Sequence, residues 1–190
     1  KLTGRPVIPF GNSNEQVKPY GVFDPCIWKK GGAYYAFSAG IEEIQFAGRH
    51  AAASYLFRSD DLIKWEFLHE FVEGDHFTVL GDDRACPYFL PIGDRHILFF
   101  FSHMRGGQYL TGDYDCERDR FIIDTHGLCN FGAAFPGGVN APSATADETG
   151  SVIVLFNMNP AKPTNQPDNF LSDFFSSKED SSNVEDGIIS

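Results

Sequence analysis

Residues 26–38 read CIWKKGGAYYAFS and predict a β-hairpin. Two β-prone runs, the second rich in aromatic residues, flank the pair Gly31-Gly32. A glycine pair supplies the positive φ angles of a tight hairpin turn, and aromatic side chains favour the pleated surface of a strand. The stretch therefore indicates two antiparallel strands and a fold rich in β-structure.

Short strands separated by turns continue through most of the chain. Two sets of four strands, each spanning about fifty residues, are followed by the first two strands of a third set. The predicted strands are 26–28, 33–38, 52–58 and 65–71, then 86–92, 95–102, 108–113 and 120–123, and finally 141–146 and 152–157. No stretch repeats apolar residues at helical spacing over three turns, so helices should be scarce and the fold all-β. This spacing is typical of the four-stranded antiparallel blades of a β-propeller, and a β-sandwich is the alternative.

The composition favours a folded domain and argues against some partners. The chain has 190 residues, 42% of them hydrophobic and 15% aromatic, and a net charge of −11. Nucleic acids and anionic membranes bind clustered Lys and Arg, so neither is an expected partner, whereas a neutral sugar is compatible with this charge. No apolar run reaches the roughly eighteen residues that a membrane span needs. The first residue is Lys1, not Met, so the chain is expected to begin inside a longer reading frame, and its compartment stays open.

The four cysteines show no metal-binding or disulfide pattern. Cys26, Cys86, Cys116 and Cys129 lie far apart, and no C-x-x-C pair occurs. Zinc sites built from cysteine usually contain such pairs, and a domain of this size rarely depends on disulfides. The four are therefore predicted to be mostly buried thiols, and no metal site is expected.

A change in composition divides the chain near residue 160. The propeller domain is predicted over 1–160, with a lead-in at 1–20, blades at 21–75 and 76–130, and the start of a third at 131–160. Residues 161–190 are rich in Ser, Asp, Asn and Pro, which is typical of an acidic disordered tail. The Phe170-Leu171 and Phe174-Phe175 pairs leave a short amphipathic segment as the alternative.

A carboxylate stands at the entrance of the first strand. Asp24 lies in Gly21-Val22-Phe23-Asp24-Pro25, where the proline restricts the backbone. In a propeller this position would direct the carboxylate into the funnel where the blades converge. An Asp that starts a turn is the alternative, because Asp-Pro is common in the turns of any protein.

Five segments of the chain resemble the motifs of one enzyme family. They are Phe23-Asp24-Pro25, the Ser59-x-Asp61-Leu62-x-x-Trp65 pattern after Ser54, Ala85-Cys86-Pro87-Tyr88-Phe89, Tyr109 to Phe121, and Phe131-Gly132 with Asn140-Ala141-Pro142-Ser143. In this order, over residues 21–158, they resemble glycoside hydrolase family 32, the β-fructosidases. The resemblance implies part of a five-bladed β-propeller whose other blades lie outside this chain.

The resemblance also implies a retaining glycosidase for fructosides such as sucrose or fructans, with no cofactor. Two carboxylates act as nucleophile and as acid and base, and a third, in an Arg-Asp-Pro motif, holds sugar hydroxyls. Asp24 corresponds to the third carboxylate, although Phe23 replaces the arginine. The family's nucleophile motif, Asn-Asp-Pro-Asn-Gly, does not occur in the sequence.

Ala85 stands where the family has its acid/base glutamate, and alanine cannot donate a proton. Asp82 and Asp83 are the catalytic substitutes that the sequence offers. Two adjacent carboxylates raise each other's pKa, which suits a general acid. The alternative is a solvated turn at Gly81-Asp82-Asp83.

Further residues are predicted to bind the sugar or to form the core. The candidates for sugar binding are Arg84 and Cys86 beside Ala85, His103 after the apolar strand 95–102, and Asn140 before Ala141-Pro142. Trp28 and Trp65 are predicted to lie in the core between blades rather than under a sugar. Two other functions stay open. One is a non-catalytic sugar-binding propeller, which Ala85 favours, and the other is a neighbouring five-bladed family that degrades arabinan or phosphorolyses mannosides.

Overall fold

The computed structural model describes residues 4–9, 20–44, 49–129 and 138–159, and within them the chain forms strands and turns but no helix. The strands are β1 (Val22–Lys30), β2 (Ala33–Ile44), β3 (Arg49–Ser59), β4 (Glu66–Glu70), β5 (Val72–Glu73), β6 (Ala85–Ile92), β7 (Arg95–Ser102), β8 (Gly106–Asp115), β9 (Arg120–Leu128), β10 (Gly138–Ala146) and β11 (Val152–Asn159). The all-β prediction is confirmed, and every predicted strand overlaps one of these. The predicted tail at 161–190, the Phe131-Gly132 segment and parts of the lead-in lie outside the described residues.

The first sheet contains β1 to β4 in chain order, and all its neighbouring strands are antiparallel. Gly31 and Gly32 connect β1 to β2 with φ angles of 57° and 88°, which glycine adopts without strain. At the β3–β4 turn, Asp61 Oδ1 accepts hydrogen bonds from the Ile63 and Lys64 amides, each 2.8 Å long. This sheet is the four-stranded antiparallel unit that the sequence predicts, and Asp61 stabilises its last turn.

The second sheet departs from the prediction by one strand. Strands β6 to β9 form the expected antiparallel set, but β5 joins β9 in parallel, so that the order is β5-β9-β8-β7-β6. Val72 pairs with Phe121, whose amide also donates to the Phe71 carbonyl over 2.9 Å. The expectation of purely four-stranded antiparallel blades is therefore corrected. A two-residue strand has no periodicity in sequence, and it forms here because it pairs with an otherwise open sheet edge.

The three sheets meet along β1, β6 and β10. β10 and β11 form an antiparallel pair, and β6 contacts both β1 and β10. One apolar cluster joins the first two sheets and includes Phe37, Phe71, Phe89 and Phe100. Trp28 packs into this cluster, with ring centroids 5.4 Å from Phe89 and 5.6 Å from Phe71. Sheets that pack face to face with their first strands side by side are arranged like neighbouring blades of a β-propeller, and Trp28 lies between them.

The opposite face of the first sheet carries a second apolar cluster. Ala36, Tyr55 and Phe57 are buried there, with Tyr20 and Trp65 packed against them. Successive side chains of a strand point to opposite faces, so one sheet can contribute to two cores. Trp65 is therefore a core residue, but it lies on the face away from the second sheet.

Candidate active site

Strands β1, β6 and β10 each open with a bulge at or directly before a proline. The pairing with the next strand is interrupted near the start of β1, β6 and β10. The interruption contains Cys86-Pro87 in β6 and Ala141-Pro142 in β10. In β1 it contains Phe23-Asp24, and pairing resumes at Pro25, opposite Ser38. Proline has no amide proton for the ladder, so it is tolerated where pairing opens. Cys86 and Ala141 have φ angles of 50° and 44°, a left-handed conformation that is uncommon for residues other than glycine.

Asp24 and Cys86 connect the first two bulges. The Cys86 amide donates a 2.8 Å hydrogen bond to Asp24 Oδ2. Further along the same strands, the Phe89 amide donates to Cys26 Sγ over 3.4 Å. β1 and β6 therefore run side by side in the same direction, and Asp24 lies at the end where β6 begins.

The charges of Asp24 and Asp83 both act on the Cys86 thiol. The pKa of this thiol is raised to about 11, first by burial and then by the negative charges of Asp24 and Asp83. Both carboxylates are thus close to Cys86, at one end of the blades. The thiol stays protonated at neutral pH, so it can donate a weak hydrogen bond but does not act as a nucleophile.

Asp83 is paired with His103 at the adjoining ends of β6 and β7. The His103 amide donates to Asp83 Oδ1 over 3.1 Å, and His103 Nδ1 lies 2.5 Å from Oδ2. The Asp83 and His103 side chains are 17% and 32% exposed, so both can be reached from solvent. The site therefore contains a coupled carboxylate and imidazole, whereas the sequence suggests two separate residues.

Asp82 belongs to a buried polar network instead. Its side chain is fully buried, and Oδ1 accepts hydrogen bonds from Ser102 Oγ over 2.5 Å and from Arg105 Nε over 3.1 Å. The Val79 amide donates to Oδ2 over 3.1 Å. Burial by itself raises the pKa of the Asp82 carboxyl, but the hydrogen bonds from Arg105, Ser102 and Val79 outweigh it and leave the pKa below its usual value. The prediction of a raised pKa is wrong for Asp82, because its partners stabilise the charged form.

Arg84 is buried between the first two sheets. Its side chain is 4% exposed, and its guanidinium forms an ion pair with Asp75 and hydrogen bonds to Ser54 Oγ and Thr78 Oγ1. A sugar cannot reach a side chain that is this buried, so the expectation that Arg84 binds substrate is corrected. Ser54 carries no sequence signal for this role, because it lies on β3, 30 residues before Arg84. Asp75 is only 9 residues before Arg84, but no motif in the segment between them indicates that the two side chains pair.

We expect Arg84→Ala to lower the free energy of unfolding by about 3–5 kcal/mol, because it leaves the Asp75 carboxylate without its buried partner. Arg95→Ala is the matched control, since Arg95 pairs with Asp113 and Asp124 at the surface. Its loss should cost about 0–1 kcal/mol. Urea unfolding of the full-length protein, followed by circular dichroism, measures both. Equal effects of the two substitutions would contradict a structural role for Arg84.

Ala85 and Asn140 occupy corresponding places two residues before a proline. Ala85 is buried and pairs with Phe101 on β7, so only a methyl group is present at this position. Asn140 is half-buried near the start of β10. The neighbouring Val139 lies against Gly107 at the start of β8, which places Asn140 at the same end of the sheets as Asp83 and His103.

The cysteines differ in exposure, and none forms a disulfide within the described ranges. All four cysteines are free thiols. Cys26, Cys86 and Cys129 are half-buried and Cys116 is exposed, so the expectation of mostly buried thiols is wrong. Within the described ranges, no three His, Cys, Asp or Glu side chains are placed to hold a metal ion. The same ranges contain no helix that is long and apolar enough to cross a membrane.

Comparison with known proteins identifies the family. The model of the glycosyl hydrolases family 32 N-terminal domain matches residues 1–172, which is most of the chain. The chain belongs to glycoside hydrolase family 32. This agrees with the order of motifs that begins at Asp24-Pro25. No curated protein matches the sequence.

Solved structures share the fold of this family 32 domain. The beta-fructofuranosidase of Bombyx mori is 22% identical, with a TM-score of 0.57 over 87% of this chain and 34% of that one. Sucrose-6-phosphate hydrolase from Lactobacillus gasseri is 16% identical, with a TM-score of 0.57 over 81% and 33%. An exo-beta-1,3-galactanase from Phanerochaete chrysosporium is 11% identical, with a TM-score of 0.54 over 80% and 35%. The chain thus spans about a third of the length of these structures.

Proposed function

We propose that this family 32 domain is part of a fructoside-hydrolysing propeller and holds Asp24 and the Asp83–His103 pair against the sugar. The observation that supports this proposal is the proximity of Asp24 and Asp83 to Cys86, where the first strands of two blades begin. A carboxylate in this place can bind sugar hydroxyls and stabilise the positive charge of an oxocarbenium-like transition state. Asp24 has this role in the proposal.

The reaction needs a nucleophile and a group that transfers a proton. The nucleophile motif of the family does not occur in this chain, so the attacking carboxylate comes from another blade of a five-bladed propeller in the full-length protein. Proton transfer falls to the Asp83–His103 pair, because Ala85 has no proton to give.

The other residues near the bulges complete the proposed sugar pocket. The Cys86 thiol and the Asn140 amide are candidates for hydrogen bonds to sugar hydroxyls. Asp82 and Arg84 flank Asp83 in the chain, and their buried contacts with Arg105 and Asp75 fix the position of this segment. They are positioning residues and do not touch the sugar.

The proposed substrates are sucrose and fructans. The Bombyx mori beta-fructofuranosidase has been solved as a variant in complex with sucrose, and it shares this fold. The chain carries a net charge of −11, which favours neutral sugars over phosphorylated ones because like charges repel.

Release of fructose from sucrose and inulin by the full-length protein tests this function. We expect hydrolysis of at least one of the two, and weaker hydrolysis of sucrose 6-phosphate. If neither neutral sugar is cleaved, the proposed function is wrong.

A non-catalytic sugar-binding propeller is the second candidate, and the methyl group of Ala85 in the acid/base position favours it. Isothermal titration calorimetry separates the two functions. Binding of sucrose or a fructan without release of fructose would support the non-catalytic propeller.

A further inference from the structure

The Asp83–His103 pair lies beside the position that has lost its carboxylate. Ala85 on β6 pairs with Phe101 on β7, and Asp83 and His103 are each two residues beyond that pair, toward the same end of the hairpin. The Phe101 ring packs edge-on against the His103 ring, with centroids 4.9 Å apart. An acid/base group is therefore available two residues from Ala85 along the hairpin.

The contacts of Asp83 suit a positioning role. Both of its carboxylate oxygens contact His103. Oδ1 accepts a 3.1 Å hydrogen bond from the His103 amide, and Oδ2 lies 2.5 Å from Nδ1 of the ring. Because a carboxylate only accepts hydrogen bonds, this contact places a proton on Nδ1. The carboxylate therefore fixes the tautomer and the orientation of the ring.

The contacts of His103 suit proton transfer. An imidazole whose Nδ1 proton is held by a carboxylate gains and loses its second proton at Nε2. The His103 side chain is about twice as exposed as that of Asp83, at 32% against 17%, so a ligand reaches the ring more readily than the carboxylate.

We infer that His103, held by Asp83, transfers the proton in glycoside hydrolysis and replaces the carboxylate absent at Ala85. The inference rests on the proposed function. In the first step, the bond from the anomeric carbon to the leaving oxygen breaks, and its electron pair goes to that oxygen. The oxygen takes the Nε2 proton of the imidazolium, while a carboxylate nucleophile from another blade bonds to the anomeric carbon. In the second step, Nε2 takes a proton from the water that displaces this carboxylate, and the sugar is released.

The experiment compares two substrates with different leaving groups. Sucrose needs a proton on its leaving oxygen, whereas p-nitrophenyl β-fructofuranoside releases a stable anion and does not. For His103→Ala in the full-length protein, kcat/KM for sucrose should fall by about 10²- to 10⁴-fold. The value for the aryl fructoside should fall by less than about 10-fold, because its first step needs no acid.

Added imidazole gives a readout that a purely structural role would not show. Free imidazole can enter the space left in His103→Ala and restore part of the activity on sucrose. It should not restore Asp83→Ala, which retains its own imidazole side chain at position 103. His96→Ala is the matched control, because His96 stacks on Phe89 at the opposite end of β7. This control should leave the ratio of the two kcat/KM values unchanged.

The possible outcomes are distinct. Equal losses on both substrates for His103→Ala, without rescue by imidazole, would overturn the inference, while fructoside hydrolysis would stand as the proposed activity. A wild-type protein that cleaves neither substrate would overturn the proposed function and the inference together. Selective loss on sucrose with rescue by imidazole would support the inference.

Discussion

Asp24→Asn is expected to lower kcat/KM for a fructoside by about 10²- to 10³-fold, because a neutral amide cannot stabilise the positive charge of the transition state as a carboxylate does. The fold should persist. The asparagine side-chain oxygen can still accept the 2.8 Å hydrogen bond from the Cys86 amide, so the link between the first two blades is kept. Steady-state kinetics on sucrose and inulin, with a circular dichroism spectrum of the variant, measure the two effects.

Asp60→Asn is the matched control for Asp24→Asn. Asp60 is exposed and follows β3, at the end of the first sheet that is opposite to the start of β1. Its substitution removes one negative charge from the same sheet and should change kcat/KM by less than about 2-fold, since it lies away from the bulges. Near-normal activity of Asp24→Asn, or equal losses for both variants, would remove Asp24 from the active site.

Residues 1–190 expressed alone are expected to show no glycosidase activity and to associate in solution. Retaining hydrolysis needs a nucleophilic carboxylate, and the motif that supplies it in family 32 does not occur in these residues. Association is expected because Ile153, Leu155 and Met158 on β11 are exposed. Among the described strands β11 pairs only with β10, and an unpaired apolar edge promotes contact between chains.

Size-exclusion chromatography with a fructose-release assay checks both parts. Ile153→Lys should reduce association, because a charge on the open strand opposes pairing between edges. Ile63→Lys is the control, since Ile63 is as exposed as Ile153, 56% against 57%, but lies in a turn of the first sheet. A monodisperse chain that releases fructose would overturn the prediction and the assignment of Asp24.

Local sequence determined most of the strands of this protein. The hairpin at Gly31-Gly32 and the strand at 95–102 are predicted and observed, because alternation and turn residues act over a few positions. The prolines at 25, 87 and 142 mark the bulges for the same reason, since each lacks an amide proton at its own position. Asp24 was recognisable as a candidate because it precedes one of these prolines.

Only the tertiary structure decided how the polar residues between 75 and 103 are used. The sequence 81–84 shows two carboxylates and an arginine in one turn, yet Arg84 is buried against Asp75, Asp82 is buried against Arg105, and Asp83 pairs with His103. The parallel strand β5 likewise depends on an edge about fifty residues away in the chain. Burial and long-range pairing set the charge and accessibility of a side chain, and neither can be deduced from its immediate neighbours in sequence.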